Sequence, residues 1–319
     1  MANRFWLAAV LQLCATVSIA QSYPNQPIKL IVPWPPGGGV DTSARIIAQP
    51  LSERLGQSIV IENRGGAGGN IGTEVAARAK PDGYTLLMAS SSPNAINIHI
   101  YPKLPFDPLK DFTAIGYVTA VPNILVVPGN APANTARELL AYIKANPGKV
   151  NYGSAGVGSS QHLAASMLIT ATGANIVHVP YKGTGPAETD LIAGHIAMML
   201  DTTACLPFVA GGRMKALAVA SKSRNPALPN VPTFDEIGVP GVYSSAWYGI
   251  MAPAGLPQEI VNRINADLNA VLKSPEVRKK IADFGGEQGG GSPADFDRFV
   301  ASELKRYADI VKASGAKVE

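Results

Sequence analysis

The sequence predicts a two-lobed α/β fold in which each lobe is a mainly parallel sheet flanked by helices. From residue 28 to residue 90, strand-like and helix-like segments alternate with short connections, an order typical of parallel strands with helices on the sheet faces. This alternation breaks at a proline- and lysine-rich segment, residues 101–111, and then restarts. The length of 319 residues exceeds one ordinary domain, and a composition of 46% hydrophobic and 16% charged residues can fill two cores.

The first 20 residues have the pattern of a secretory signal peptide and are excluded from the predicted fold. Arg4 provides a basic start, an apolar stretch follows, and small residues precede a cleavage point near Ala20. An uncleaved anchor helix is the alternative. In the exported chain, residues 21–120 and 235–319 are predicted to form lobe 1, and residues 121–234 to form lobe 2.

Lobe 1 is predicted to begin with a buried strand at residues 28–32, a proline- and glycine-rich loop, and a helix that starts near Asp41. Pro50 is expected to kink this helix, because proline removes one helical hydrogen bond. The segments that follow are a strand at 58–61, a second glycine loop at 62–70, a helix at 71–80 and a strand at 84–89.

In lobe 2 the first strand is predicted at residues 124–127, and Thr135 with Glu138 forms a capping-box signature at the start of a helix. The next segments are a strand at 150–152, a third glycine loop at 153–160 followed by a helix, and strands at 176–179, 196–200 and 214–220, with a helix at 187–193. The chain is predicted to return through a strand at 246–251 and to end in helices at 257–273, 275–283 and 293–313.

The two lobes contain an internal echo. Gly39 precedes Gly56 by 17 residues, and Gly156 precedes Gly173 by 17 residues, so each interval holds a loop end and one helix. Two such units facing each other would direct two helix N-termini into one cleft, where the positive ends of the helices favour an anion. Any two strand–helix–strand units would also look alike, so the echo has a second, neutral interpretation.

Several function classes lack their signatures. A net charge of +4 without basic clusters argues against a nucleic-acid reader. No P-loop, dinucleotide fingerprint or nucleophile elbow is present. The four histidines are isolated in sequence, so we expect no metal and no cofactor. Removal of the signal peptide leaves Cys205 as the single cysteine, which we expect to be buried and structural.

The candidate ligand contacts lie in the glycine loops and at strand ends. Trp34 would cover a ligand or pack between the lobes, and Asp41 would cap its helix or meet the ligand. Asp201 ends an apolar strand, where the carboxyl ends of parallel strands meet the crevice, so it could bind a ligand amine or hydroxyl. Ser159 and His162 lie at the start of the helix after the third glycine loop, where they would contact a ligand or only cap and pack that helix.

Several segments, taken in order, resemble the Bug family, the substrate-binding receptors of tripartite tricarboxylate transporters. They include VPWPPGGGVD at 32–41 and YGSAGVGSSQH at 152–162, together with 62–72, 81–84, 178–183, 228–233 and 252–255. The resemblance covers residues 23–315. It implies a type II periplasmic-binding-protein (Venus flytrap) fold, a periplasmic location, and a small carboxylate held mainly by backbone amides, hydroxyls and water. Two departures, Gly65 where the family often has proline and Tyr307 where tryptophan is frequent, lie away from the site.

The resemblance also suggests which residues bind. On the lobe 1 side it points to Gly37, Gly38, Gly39 and Asp41, and on the lobe 2 side to Ser154, Gly156, Ser159 and His162. The predicted site consists of these eight residues together with Trp34, Ser90 and Asp201, which are proposed from their own sequence context. Ligand selectivity is predicted at Val40, Ser90 to Asn94, Thr202, Thr203 and Tyr248.

The favoured function is a monomeric receptor that delivers a carboxylate to the membrane components of a tripartite transporter and catalyses no reaction. A ligand-binding sensor subunit for a membrane kinase would need the same closed form, so the sequence does not separate the two. A secreted hydrolase that uses Ser159 or Ser160 with His162 and Asp201 is the third hypothesis.

Overall fold

The computed structural model describes residues 23–314, 316 and 317, and the predicted signal peptide at residues 1–20 lies outside them. The described residues form two sheets of five strands each. The first sheet contains β1 (Ile28–Val32), β2 (Ile59–Asn63), β3 (Thr85–Ser90), β4 (Phe112–Pro122) and β10 (Ser245–Pro253). The second contains β5 (Ile124–Pro128), β6 (Val150–Ser154), β7 (Ile176–Pro180), β8 (Met198–Asp201) and β9 (Met214–Val219).

The two sheets have equivalent topologies. Their strand orders are β2-β1-β3-β10-β4 and β7-β6-β8-β5-β9. In each sheet the first three strands are parallel, whereas β10 and β5 run antiparallel to both of their neighbours. Four of the five strands therefore point the same way, which confirms the predicted mainly parallel sheets. The one reversed strand in each sheet was not foreseen, because hydrophobic runs identify strands but not their direction.

Helices cover the faces of both sheets. They are α1 (Gly39–Leu55), α2 (Asn70–Ala77), α3 (Ala136–Ala145), α4 (Ser160–Thr172), α5 (Thr184–Ala193), α6 (Leu206–Ala210), α7 (Gln258–Lys273), α8 (Pro275–Asp283) and α9 (Pro293–Ser314). The predicted capping box is present at α3, where Thr135 accepts from the Glu138 N–H and the Glu138 side chain bonds back. Helix α1 begins two residues earlier than predicted and continues through Pro50. Among the described residues, no helix is both long and apolar enough to span a membrane.

Strand β4 and the segment after β3 were not predicted from the sequence. Short helical turns at Ser92–Ile96 and Asn97–His99 follow β3 directly. The Asn94 side chain holds the first turn by accepting from the Ser90 N–H at 3.1 Å. Turns this short have no apolar period, so only tertiary contacts specify them.

Asn123 connects the two sheets. It is the only residue between β4 and β5 in the chain. Its N–H donates to Ser244 O at 2.9 Å, and its carbonyl accepts from the Ala220 N–H at 2.8 Å. Its side chain donates to Leu200 O at 3.0 Å and accepts from Ser244 Oγ at 2.8 Å. The outgoing and returning chains are thus hydrogen-bonded together where they cross. The lobe boundaries at 120 and 234 stay predictions.

Candidate ligand-binding site

A cavity with about 420 Å³ of empty space lies between the two sheets, at the carboxyl ends of their parallel strands. Crevices of this kind are the usual ligand sites of open α/β sheets. From the first sheet and its connections the cavity is lined by Trp34, Pro35, Gly38, Gly39, Val40, Ser90, Ser91, Ser92, Ala246 and Tyr248. From the second it is lined by Ala155, Ser159, Ser160, Gln161, Thr184 and Thr202.

The N-terminus of α1 reaches the cavity without a side-chain cap. Gly38 is its N-cap residue, and the first helical bond runs from the Thr42 N–H to Gly38 O at 2.9 Å. No described residue accepts a hydrogen bond from the N–H groups of Gly39, Val40 or Asp41. These donors and the positive end of the helix together provide a place for an anion. A Cβ at Gly39 would collide with Tyr248 Oη, so the close approach of backbone and ring requires glycine.

Asp41 supports the first glycine loop from behind and does not line the cavity. Its carboxylate accepts from the Gly37 N–H at 3.0 Å, from Arg45 at 2.9 and 3.0 Å, and from Asn63 at 3.0 Å. Burial alone would raise the pKa of Asp41, but these hydrogen bonds and the Arg45 charge outweigh it and lower the pKa. Asp41 is therefore ionised and holds the loop from the third position of α1. It is not the N-cap of this helix.

The N-terminus of α4 is arranged differently, because Ser159 caps it. Ser159 Oγ accepts from the His162 N–H at 3.2 Å and donates to Gly156 O at 2.7 Å. The next residue, Ser160, lines the cavity, and its hydroxyl has no partner among the described residues. Gln161 also lines the cavity, and its Oε1 accepts from the Ala155 N–H at 2.7 Å.

Two of the cavity hydroxyls, those of Ser90 and Thr184, keep their own protons available. Ser90 accepts from Trp34 Nε1 at 3.1 Å, and Thr184 accepts from Gln161 Nε2 at 3.2 Å. In both pairs the hydroxyl is the acceptor, so its O–H can still donate to a ligand. No Lys, Arg, His, Asp or Glu occurs among the described residues that line the cavity. An anion bound here would therefore be held by neutral donors.

His162 is packed behind the third glycine loop and does not line the cavity. Its ring stacks on His178 with centroids 4.3 Å apart and planes at 6°, and His178 Nε2 lies 2.6 Å from Ser154 Oγ. Burial lowers the pKa of each histidine to about 4, with repulsion between the rings adding to the shift at His178. Both rings are therefore neutral near pH 7.

The residues proposed for a hydrolase do not form a triad. Within the part of the chain that the structure describes, the only hydrogen bond of the His162 ring is a long one of 3.4 Å from the Gly158 N–H to Nδ1. Asp201 accepts from Gln161 Nε2 and from the Thr202 N–H, not from a histidine. Neither Ser159 nor Ser160 has a hydrogen bond to an imidazole among the described residues.

Five of the predicted site residues line the cavity: Trp34, Gly38, Gly39, Ser90 and Ser159. Six do not: Gly37, Asp41, Ser154, Gly156, His162 and Asp201. Of the predicted selectivity positions, Val40, Ser90 to Ser92, Thr202 and Tyr248 line it, whereas Pro93, Asn94 and Thr203 do not.

Five further residues that line the cavity were not predicted from the sequence: Pro35, Ala155, Gln161, Thr184 and Ala246. Thr184 was detectable, since it begins a helix immediately after Gly183, as the other site residues follow their glycine loops. The Gln161 side chain carried no such signal, because its role depends on the direction in which the side chain leaves α4.

A larger groove of about 1310 Å³ lies elsewhere, between the C-terminal helix and the chain that returns from the second sheet. Its arginines are already paired: Arg224 with Glu236 at 3.0 Å, and Arg306 with Glu303 at 2.7 Å. The smaller cavity, with its unpaired donors, is therefore the better ligand site.

The chain matches a family model and is similar to known relatives and solved structures. Residues 43–316 match the family model described as the tripartite tricarboxylate transporter family receptor. Protein BugT of Bordetella pertussis is 38% identical over 98% of this chain and 96% of its own. An R. palustris protein solved with adipate is 37% identical, with a TM-score of 0.91 over 93% of this chain and 100% of its own. MatC from Rhodopseudomonas palustris, with bound malate, is 33% identical, with a TM-score of 0.86 over 91% of this chain and 100% of its own. The predicted two-lobed periplasmic-binding-protein fold is confirmed by these similarities.

Proposed function

This chain belongs to the tripartite tricarboxylate transporter receptor family, and we propose that it binds a small carboxylate in the cavity between its two sheets. It delivers this ligand to the membrane components of a tripartite transporter and catalyses no reaction. It acts in the periplasm as a monomer, after removal of a signal peptide near Ala20.

One observation carries the proposal. Two helix N-termini, at Gly39 and Ser160, meet at a single cavity, where the hydroxyl protons of Ser90, Ser160 and Thr184 remain available to a ligand. Amide and hydroxyl donors of this kind are what a carboxylate requires. The adipate and malate bound to two similar structures support this ligand class.

The absence of charged side chains from the described cavity lining suits a receptor that must also release its ligand. A buried lysine or arginine would be left without a counter-charge in the empty protein, at a cost of several kcal/mol. Neutral donors avoid this penalty, and they hold an anion less firmly. The site is therefore suited to reversible binding.

The predicted site residues divide into two roles under this proposal. Trp34, Gly38, Gly39, Ser90 and Ser159 form the cavity wall against the ligand. The other six lie behind the wall and support it: Gly37, Asp41, Ser154, Gly156, His162 and Asp201.

The test is a thermal-shift and calorimetric titration of the purified protein with adipate, malate and other mono-, di- and tricarboxylates. Neutral amides of the same acids serve as matched controls. At a ligand concentration about 100 times the dissociation constant, a binding acid should stabilise the protein by about 2.7 kcal/mol. Binding of an acid but not its amide, without any change in the acid, is the expected result. Binding of the amides alone, or turnover of the acid, would contradict the proposal.

Delivery requires a separate test in cells. Deletion of the gene should abolish uptake of the acid that binds in vitro, and a periplasmic Gly39→Ala protein should not restore uptake. Normal uptake after deletion would favour the sensor hypothesis instead.

A further inference from the structure

Two buried carboxyl groups face each other directly behind the cavity wall. Asp201 ends β8 and is fully buried, with Oδ1 accepting from Gln161 Nε2 at 2.8 Å and from the Thr202 N–H at 2.7 Å. Its other oxygen, Oδ2, has no donor among the described residues. The same is true of the buried Oε1 of Glu188 in α5.

Glu188 lies one helical turn after Thr184, whose hydroxyl accepts from the same Gln161 Nε2 that donates to Asp201. Ionised carboxylates only accept hydrogen bonds, so a hydrogen bond between the unpartnered oxygens of Glu188 and Asp201 requires a proton on one of them. Burial raises the pKa of Glu188, and the nearby Asp201 charge raises it further. Burial also raises the pKa of Asp201. Near neutral pH the two carboxyls therefore hold one proton between them, as other close carboxylate pairs do.

The surroundings provide no positive charge for this pair. Its titratable neighbours are the thiol of Cys205 and the phenol of Tyr248, and burial, together with the Asp201 charge, keeps both neutral. Glu188 also borders a groove that contains Asp283, whose carboxylate is paired with Lys279 at 2.6 Å. No Lys, Arg or His lines the cavity or this groove among the described residues.

The pair is close enough to the cavity to sense a ligand charge. Gln161 and Thr202 both line the cavity, and each also hydrogen-bonds to Asp201. One side chain, or one backbone N–H, therefore separates Asp201 from any bound group. A carboxylate in the cavity would add a negative charge here, with no cation to offset it.

We propose that Glu188 is a positioning residue that controls the charge of the site: Glu188 and Asp201 share one proton, and binding of a carboxylate drives protonation of this pair. The inference rests on the proposed function, because only an anionic ligand would have this effect. Ligand binding is then accompanied by proton uptake, and by linkage the affinity falls as the pH rises. The same shared proton keeps Asp201 in place to hold Gln161 and Thr202 at the cavity wall.

The test is isothermal titration of the protein with adipate and with malate in two buffers of different ionisation enthalpy, over neutral to alkaline pH. In the wild type we expect proton uptake on binding, and an affinity that falls by up to about tenfold per pH unit at alkaline pH. In Glu188→Gln, the amide donates permanently to Asp201 and does not titrate. The uptake should therefore disappear, and the affinity should become independent of pH and stay within about threefold of the wild-type value at neutral pH.

Glu53→Gln is the matched control, since it makes the same chemical change at an exposed residue of α1, away from the cavity, whose carboxylate accepts from Gln49 Nε2. Its proton uptake should equal that of the wild type. Undiminished uptake in Glu188→Gln, or pH-independent binding by the wild type, would overturn the inference while leaving the proposed function intact.

A failure of the proposed function would look different, because neither acid would then bind at any pH. The shared proton has its own readout in that case, namely the free energy of unfolding as a function of pH. A carboxyl group whose pKa is raised by folding lowers the free energy of unfolding as the pH increases. The decrease begins near the pKa in the unfolded chain, about 4.3 for Glu, and continues up to the raised pKa of the folded protein. Glu188→Gln should therefore match the wild type in acid and exceed it in stability at neutral and alkaline pH. Parallel stability curves would show that no proton is shared.

Discussion

The first and third glycine loops occupy equivalent places in the two halves, but they present their helices to the cavity in different ways. The interval from Gly39 to Gly56 is helix throughout, since α1 has 17 residues and ends at the left-handed Gly56. The interval from Gly156 to Gly173 has a helix of only 13 residues, because its first part is a loop that ends in the Ser159 cap. The equal spacing in sequence thus conceals an open helix N-terminus on one side and a capped one on the other.

The two loops are also supported by different chemistry. Behind the first loop, an ionised Asp41 is held by Arg45 and Asn63. Behind the third, the neutral rings of His162 and His178 are stacked. We infer that the first side contributes most of the backbone anion donors, whereas the second contributes hydroxyls and the Gln161 amide.

The largest expected effect is the loss of ligand binding in Gly39→Ala. The new Cβ would collide with Tyr248 Oη at the open N-terminus of α1, so we expect at least about a 100-fold loss of affinity, or about 2.7 kcal/mol. Gly38→Ala is the control, because its Cβ would meet Thr184 Oγ1 at an ordinary 3.6 Å, and it should lose less than about tenfold. Titration calorimetry measures both variants, and circular dichroism verifies their folding. Equal losses in the two folded variants would mean that the Tyr248 contact does not define the site.

The next effect concerns the stability of the protein in acid. The contributions of Asp41, behind the first loop, and His162, behind the third, should be lost at different pH values. A histidine whose pKa is lowered by burial from 6.5 to about 4 stabilises the folded protein at pH values above its pKa in the unfolded chain. This stabilisation is lost as the pH falls towards the pKa in the folded protein. For His162 this loss is about 2 kcal/mol between about pH 8 and about pH 5. The lowered pKa of Asp41 places its own loss below the ordinary aspartate range, so the His162 side should weaken first.

The corresponding measurement is urea unfolding of His162→Phe across this pH range. The variant keeps an aromatic ring for stacking but cannot be protonated, so its stability should fall about 2 kcal/mol less than that of the wild type. His195→Phe, the same exchange at an exposed position, is the matched control. An unchanged slope in His162→Phe would contradict the assignment of His162 as a neutral brace.

The smallest effect separates two adjacent serines at the capped helix. Ser159→Ala removes the cap of α4 and should lower the free energy of unfolding by about 1 kcal/mol. Its affinity should change little, because the Ser159 hydroxyl proton is already donated to Gly156 O. Ser160→Ala should have the opposite pattern: near wild-type stability and an affinity about fivefold to tenfold lower. Denaturant unfolding and calorimetry together give both quantities. A larger affinity loss in Ser159→Ala than in Ser160→Ala would reverse these roles.

Much of the fold was predictable because its signals are local. Strand ends were mostly within two residues of prediction, and the capping box at Thr135 and the buried Cys205 were both confirmed. These features depend on hydrophobic period, capping chemistry or apolar context over a few residues. The turns at residues 92–99 have no such signal and were missed.

The sequence by itself determined the alternation of strands and helices, the positions of the glycine loops and the family resemblance. Only the tertiary structure decided which side chains reach the cavity, because Asp41 and His162 lie close in sequence to residues that line it and yet point elsewhere. It also brought Glu188 of α5 against Asp201 of β8, behind Gln161. The physical reason is that a side chain's neighbours depend on how separately folded elements pack, and packing is set by residues that are distant in the chain.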